Sequence, residues 1–199
     1  MGNHDNSRIG SRFPNRGDQM TMLAMILPGV TVTYYGEEIG MLDKDDITFE
    51  DTQDPQACQA GPDKYKEKSR DPNRTPMQWN DEVNAGFNEG AKTWIPVHGN
   101  YPDLNLAAQK AADESSYKTY LKLINLKKKS TAIKEGSLKT IADDQTLTVV
   151  RTAAGENIVL IINFSEDKEV LANTLTKVPT LESTATVEAA SLGSPIKAG

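Results

Sequence analysis

Apolar residues recur at helical spacing near the front of the chain. Met20, Leu23, Ala24 and Leu27 fall at i, i+3, i+4 and i+7, with Asp18 near the start and Pro28-Gly29 just beyond. This predicts a helix from Gly17 to Leu27 that the Pro-Gly pair ends. Val30-Thr31-Val32-Thr33-Tyr34-Tyr35 follows, β-branched and aromatic with little alternation, which predicts a strand covered on both faces. Gly36-Glu37-Glu38 breaks it. From Met41 to Asp113 the periodicity fades and Asp, Asn, Pro, Gln and Gly dominate. A stretch this long is expected to be functional or packed against something. Helical spacing returns at Tyr117, Tyr120, Leu121 and Ile124, with Ser115 or Ser116 as N-cap and an end near Lys129. Beyond Ser130 the pattern changes to short strands: Leu138 to Ile141, Leu147 to Arg151 and Ile158 to Phe164. The last two are expected to form a hairpin around Gly155. After Val178, Thr, Ser and Ala predominate, and a weak last strand followed by a loose tail is expected.

Residues 1–16 read as a polar loop. A polar loop, a helix, a tight turn and a buried strand ending in carboxylates form a unit typical of a parallel α/β barrel. In such barrels chemistry gathers at the C-terminal ends of the strands. The predicted fold class is therefore α/β plus all-β. Residues 1–131 are expected to be the C-terminal portion of a (β/α)8 barrel, and residues 132–199 a small antiparallel β domain. The chain opens on Met1-Gly2-Asn3-His4-Asp5, a packed polar set with no element in front to carry it. Because a site needs rigid support, we expect the chain to be a C-terminal fragment of a longer protein.

Composition narrows the function classes. With 199 residues, 37% apolar and 25% charged, the chain suits a soluble globular protein. Its net charge of -6 argues against a nucleic-acid partner, which demands clustered Lys and Arg. The basic run Lys127-Lys128-Lys129 is read as a solvated helix end that complements the helix dipole. The uncharged stretch from Met20 to Gly36 is interrupted by Thr21, Pro28, Gly29, Thr31 and Thr33, so no membrane span is expected. Met1 is followed at once by polar and charged residues, unlike a signal peptide. Cys58 is the sole cysteine, which rules out an internal disulfide and any multi-Cys metal site. No metal and no cofactor are expected.

Three groups could carry chemistry. His4-Asp5 pairs an imidazole with a carboxylate, able to orient sugar hydroxyls or stabilise developing positive charge. As a bare dipeptide it is more often structural. Arg74 offers a planar fork within the Pro-stiffened run Arg70-Asp71-Pro72-Asn73-Arg74-Thr75-Pro76-Met77-Gln78-Trp79, although an Arg in such a loop is commonly a bracing ion pair. Glu37 and Glu38 sit where the strand is expected to end, and one of them is expected merely to brace the loop.

In combination they are more specific. Gly2-Asn3-His4-Asp5-Asn6-Ser7-Arg8, then Tyr34-Tyr35-Gly36-Glu37-Glu38-Ile39-Gly40-Met41, then Ser69 through Trp79, resembles the alpha-amylase superfamily of glycoside hydrolases (family 13). Within it the chain is most like the alpha-glucosidases, especially insect digestive maltases, and Asp51-Thr52-Gln53-Asp54-Pro55-Gln56-Ala57-Cys58 fits that insect group. The resemblance is strong through residue 80 and extends to about 165. It implies a small β-sandwich as the second domain. It also implies that Asp5 is the third active-site carboxylate, which stabilises the transition state without attacking. His4 would bind the same glucosyl unit, and Arg74 would help close the pocket around the non-reducing end. Val30 to Tyr35 would be the eighth barrel strand and Tyr117 to Lys129 the last barrel helix.

The implied reaction releases terminal non-reducing alpha-linked glucose from maltose, sucrose or short oligosaccharides with retention. Its nucleophilic Asp and acid/base Glu would lie upstream, leaving residues 1–199 inactive alone. The partner would be a small oligosaccharide. The parent would be extracellular or secreted, with Asn163-Phe164-Ser165 and Asn73-Arg74-Thr75 as N-glycan acceptor patterns. A lipid anchor at the cell surface is compatible with such a parent, but no anchor signal follows Ala189. The alternative is a non-catalytic relative like the heavy-chain subunits of amino-acid transporters, a membrane protein partner that would have no chemical need for Asn3-His4-Asp5 and Arg74.

Overall fold

The computed structural model describes residues 2–165, 185–192 and 194. Seven α-helices occur among them: α1 (Ile9–Arg12), α2 (Gly17–Ile26), α3 (Pro55–Ala60), α4 (Tyr65–Lys68), α5 (Leu106–Ala111), α6 (Ser116–Lys129) and α7 (Thr131–Glu135). Three strands follow, β1 (Ser137–Ala142), β2 (Thr146–Ala153) and β3 (Glu156–Asn163). The chain divides into two compact units, Met1–Met20 with Val32–Lys118 and Thr21–Thr31 with Thr119–Gly199.

The second unit is built on an antiparallel sheet in the order β1-β2-β3. Leu147 opposes Ile162, Val149 opposes Leu160 and Arg151 opposes Ile158. Side chains alternate along a strand, so these six share one face. Its apolar members pack with Met22, Met25 and Ile26 of α2, Leu123 of α6 and Ile133 of α7. The β2–β3 hairpin turns through Ala154-Gly155, both at positive φ (50° and 80°), the backbone that a two-residue type I′ connection needs. Between β1 and β2, Asp143 Oδ1 accepts from the amides of Gln145 (3.0 Å) and Thr146 (2.8 Å) and holds the chain reversal. Ser130 caps α7 by accepting from the Ile133 amide at 3.0 Å.

Two charged side chains complete this unit. Arg151 is buried on the core face and donates to the carbonyls of Ile26 (2.6 Å), Gly136 (2.8 Å) and Ser137 (3.4 Å). Lys127 differs from its expected role as part of a solvated helix end. Its Nζ donates to Met25 O (2.9 Å), Thr31 Oγ1 (2.7 Å) and Gly29 O (3.4 Å), so it closes the turn after α2, and burial lowers its pKa. Lys128 and Lys129 are exposed.

The first unit has a small apolar core, Ile39, Met41 and Met77 packed with Leu104, Leu106 and Tyr117. Buried polar side chains order the rest. Asn105 accepts from the Ala108 amide at 2.8 Å, capping α5, while its Nδ2 donates to Tyr101 O at 2.9 Å. Gln78 Nε2 donates to Asn100 Oδ1 (3.0 Å) and to Leu104 O. Gln109 spans from Ile39 O (2.7 Å) to the Tyr117 amide (3.0 Å). The aperiodic stretch expected from Met41 to Asp113 therefore contains short helices joined by a side-chain network. Amide side chains satisfy loop backbone groups that lack a ladder.

The expected buried strand over Val30 to Tyr35 is not formed. Residues 30–34 belong to no sheet, and Val30 and Val32 are 93% and 70% exposed. A β-branched run supplies propensity, but a parallel strand exists only through the ladder to its neighbours. All three strands among the described residues belong to the antiparallel sheet. The tail expectation lies partly outside the described residues, and residues 185–190 take no regular structure.

Candidate active site

The loop carrying Asn3-His4-Asp5 is shaped by Asn3. Its Oδ1 accepts from the Asp5 amide and from Asn6 Nδ2, both at 2.9 Å, and its carbonyl accepts from Asn73 Nδ2 at 3.0 Å. Asn73 is buried, so this bond fastens the loop to the run that contains Arg70 and Arg74. Gly2 anchors the other end: its amide donates to Glu37 Oε1 at 2.8 Å. A Cβ at Gly2 would come within 2.3 Å of that oxygen, so a larger residue there would displace the Glu37 carboxylate from this bond. Glu37 Oε2 also accepts from the Tyr34 amide at 3.1 Å, which makes Glu37 the bracing carboxylate of the pair. Glu38 Oε2 is buried and accepts no hydrogen bond from a described residue.

His4, Asp5 and Arg74 come together. Arg74 Nε donates to His4 O at 2.7 Å and Nη2 to Asp5 Oδ1 at 3.2 Å, so one guanidinium grips both backbone and carboxylate. The other carboxylate oxygen, Oδ2, lies 3.4 Å from His4 Nε2, and the Asp5 side chain is 49% exposed. Asp5 thus has one oxygen committed to cations and one beside an exposed imidazole.

A second group, to which the sequence motifs alone assign no role, adjoins this cluster. Arg70 Nη1 donates to Asp5 Oδ1 at 2.8 Å. The same guanidinium donates Nε to Asp54 Oδ2 (2.7 Å) and Nη2 to Asp54 Oδ1 (2.9 Å), a two-point pair. Asp54 is buried and also accepts from the amides of Arg70 (3.0 Å) and Gln56 (3.1 Å), the latter capping α3. Buried Asp71 reciprocates, its Oδ2 accepting from the amides of Gln53 (2.7 Å) and Asp54 (3.0 Å). The hydrogen bond from Arg70 is the main reason the Asp5 carboxyl lies below its usual range, with the charges of His4, Arg70 and Arg74 adding to it. Arg70 likewise holds Asp54 well below the usual carboxylate range. The visible signal was Asp54-Pro55, which reads as an N-cap followed by proline at N1. Nothing local announced its partner sixteen residues on.

An ionised carboxylate presented beside an imidazole, with two guanidiniums behind it, can accept hydroxyl hydrogen bonds and stabilise positive charge. Among the described residues no group of His, Cys, Asp and Glu could hold a metal ion. The alpha amylase catalytic domain matches residues 1–136. The chain belongs to the alpha-amylase family. Among its family relatives is Maltase 1 of Drosophila virilis, 50% identical over 168 residues, covering 83% of this chain and 26% of that protein. The salivary alpha-glucosidase of Anopheles gambiae is 42% identical over 174 residues, covering 86% and 29%. An amino acid transporter heavy chain of Rattus norvegicus is 33% identical over 180 residues, covering 87% and 24%. Of solved structures, trehalose-6-phosphate hydrolase of Bacillus licheniformis superposes with a TM-score of 0.73 at 30% identity, covering 85% of this chain and 36% of that one. This alpha-amylase family chain thus spans 24% to 29% of the length of these curated relatives.

Proposed function

We propose that residues 1–199 are the C-terminal part of an alpha-glucosidase that releases terminal non-reducing alpha-linked glucose from maltose, sucrose or short oligosaccharides. On this reading residues 1–131 complete a (β/α)8 barrel, and residues 132–199 form an antiparallel β domain of sandwich type. Identities of 50% and 42% to a maltase and a salivary alpha-glucosidase support it, and the second supports an exported protein. The transporter-like alternative is less favoured, with 33% identity to its relative.

The observation that carries the reading is the Asp5 carboxylate, ionised by Arg70 and Arg74 and open on the Oδ2 side next to His4. Retaining glycosidases pass through a transition state with positive charge on the sugar ring and a covalent intermediate. Asp5 is assigned to stabilise that charge and to accept ring hydroxyls, with His4 donating to the same glucosyl unit. Arg74 is assigned to substrate binding through the geometry it imposes on both. The nucleophilic Asp and the acid/base Glu are assigned to the part of a longer protein that residues 1–199 do not span. Turnover of a chromogenic alpha-glucoside by a longer protein containing this chain tests the reading, with Asp5→Asn lowering kcat by roughly 10²-fold or more. An unchanged kcat in that variant would leave Asp5 merely structural.

A further inference from the structure

His98 has one ring nitrogen already in use. Its Nδ1 accepts from the Asn100 amide at 3.1 Å, two residues on, the bond that an asparagine or aspartate side chain makes in an Asx-turn. Accepting at Nδ1 requires the neutral ring with its proton on Nε2. We propose that this bond is a pH-sensitive latch: neutral His98 holds the turn at residues 98–104 against Gln78, and protonation of Nδ1 releases that turn and draws the ring toward Asp46. The latch is independent of the substrate read for a longer protein.

Asn100 is the hub of that turn. Its carbonyl accepts from the amides of Asp103 (3.1 Å) and Leu104 (2.9 Å), and its Oδ1 accepts from Gln78 Nε2 at 3.0 Å. Gln78 is fully buried, and two further bonds run from it to the same segment. Its Nε2 also donates to Leu104 O, and its carbonyl accepts from the Leu106 amide at 3.0 Å. The Trp79 carbonyl accepts from the Ala107 amide at 2.9 Å. Residues 98–107 therefore support the end of the Arg70–Trp79 run, and His98 ties down the Asn100 amide at the start of that support.

Taking up a proton turns Nδ1 from an acceptor into a donor that faces another donor, so the bond to the Asn100 amide is lost. The charged groups facing His98 are Asp46 and its partner Lys44, whose Nζ donates to Asp46 Oδ1 at 2.7 Å. The bond from Lys44 is the main reason the Asp46 carboxyl lies below its usual range, and the charge of His98 adds to it. An ionised Asp46 thus offers the imidazolium a counter-charge, and the ring has two states with different partners. The Asn100 bond is present while the ring is neutral, and it is lost as pH falls through the range in which an imidazole takes up its proton.

NMR on residues 1–199 at about pH 7.5 and about pH 5, either side of an ordinary imidazole midpoint, tests the latch. At the higher pH the ring nitrogen shifts of His98 should report the proton on Nε2. Exchange of the Asn100 amide, corrected for its intrinsic pH dependence, should be roughly fivefold less protected at the lower pH, the worth of one hydrogen bond. The Ala108 amide, which donates to Asn105 Oδ1 at 2.8 Å, is the control and should not change. His98→Asn offers an oxygen to the same amide and does not titrate, so Asn100 should stay protected at both pH values. His98→Ala has no acceptor and should show the low protection at both. Equal protection of Asn100 at the two pH values in the wild type, or an equal fall in His98→Asn, would overturn the proposal. A proton on Nδ1 at the higher pH would overturn it as well.

Discussion

At the site, Arg74 performs two tasks with one planar group, holding the His4 carbonyl and the Asp5 carboxylate. Lysine keeps the charge but has no fork, so Arg74→Lys can satisfy one of the two. Losing one of these two contacts loosens the loop geometry around the carboxylate, which predicts a fall in kcat/KM of roughly 10-fold on exo-type substrates. Equal kcat/KM in the lysine variant would remove Arg74 from substrate binding. The two N-glycan acceptor patterns also separate at this scale. Asn73 is buried and its Nδ2 donates to Asn3 O, so it offers no free amide. Asn163 ends β3, and its Oδ1 accepts from the Ser165 amide at 2.9 Å. In protein isolated from an exporting cell, enzymatic release of N-glycans should convert Asn163, and not Asn73, to aspartate in the peptide map. Conversion at Asn73 would contradict its placement in the loop.

Among the elements, β2 is the most constrained, paired on both sides and buried along most of its length. Arg151 sits in it and serves three carbonyls, one of them the last residue of α2. Arg151→Met keeps the length and the apolar stem but strands those acceptors in the core. A buried unsatisfied group costs about 1–3 kcal/mol, so the variant should lose about 2–4 kcal/mol in total. Urea unfolding should show this as a lower midpoint at unchanged slope. A midpoint equal to wild type would mean water replaces the guanidinium.

Over the whole chain, the two units are held by different means. The second unit has an apolar core between a sheet face and helices, and the first relies on buried amides, hydroxyls and ion pairs around a small core. Protection against amide exchange should therefore peak in β2 and β3, where ladder bonds are covered by side chains, and be low across residues 30–34, which lie in no ladder. Mass-spectrometric hydrogen exchange on residues 1–199 checks this directly. Slow exchange at residues 30–34, matching Val149 to Arg151, would show that this stretch has found a sheet partner.

Much of the architecture was legible in the sequence because it depends on short-range pattern. Spacing placed α2 and α6, alternation and turn residues placed β1 to β3, and Gly155 marked the hairpin. The motifs Asn3-His4-Asp5 and Arg70 through Trp79 picked out His4, Asp5 and Arg74, which the structure brings together. Tertiary structure alone decided the rest. Which of Glu37 and Glu38 braces the loop depends on the position of the Gly2 amide, 35 residues earlier. Whether Lys127 is solvated depends on the carbonyls that end α2, about a hundred residues before it. Asp54 reads as a helix cap and Arg70 as a loop residue, and neither announces the other until folding sets them 2.7 Å apart with Asp5 also bonded to Arg70. Val30 to Tyr35 carries full strand propensity and still forms no strand. Propensity and periodicity belong to a segment, whereas a ladder, an ion pair or a buried cation belongs to two segments that only the folded chain makes neighbours.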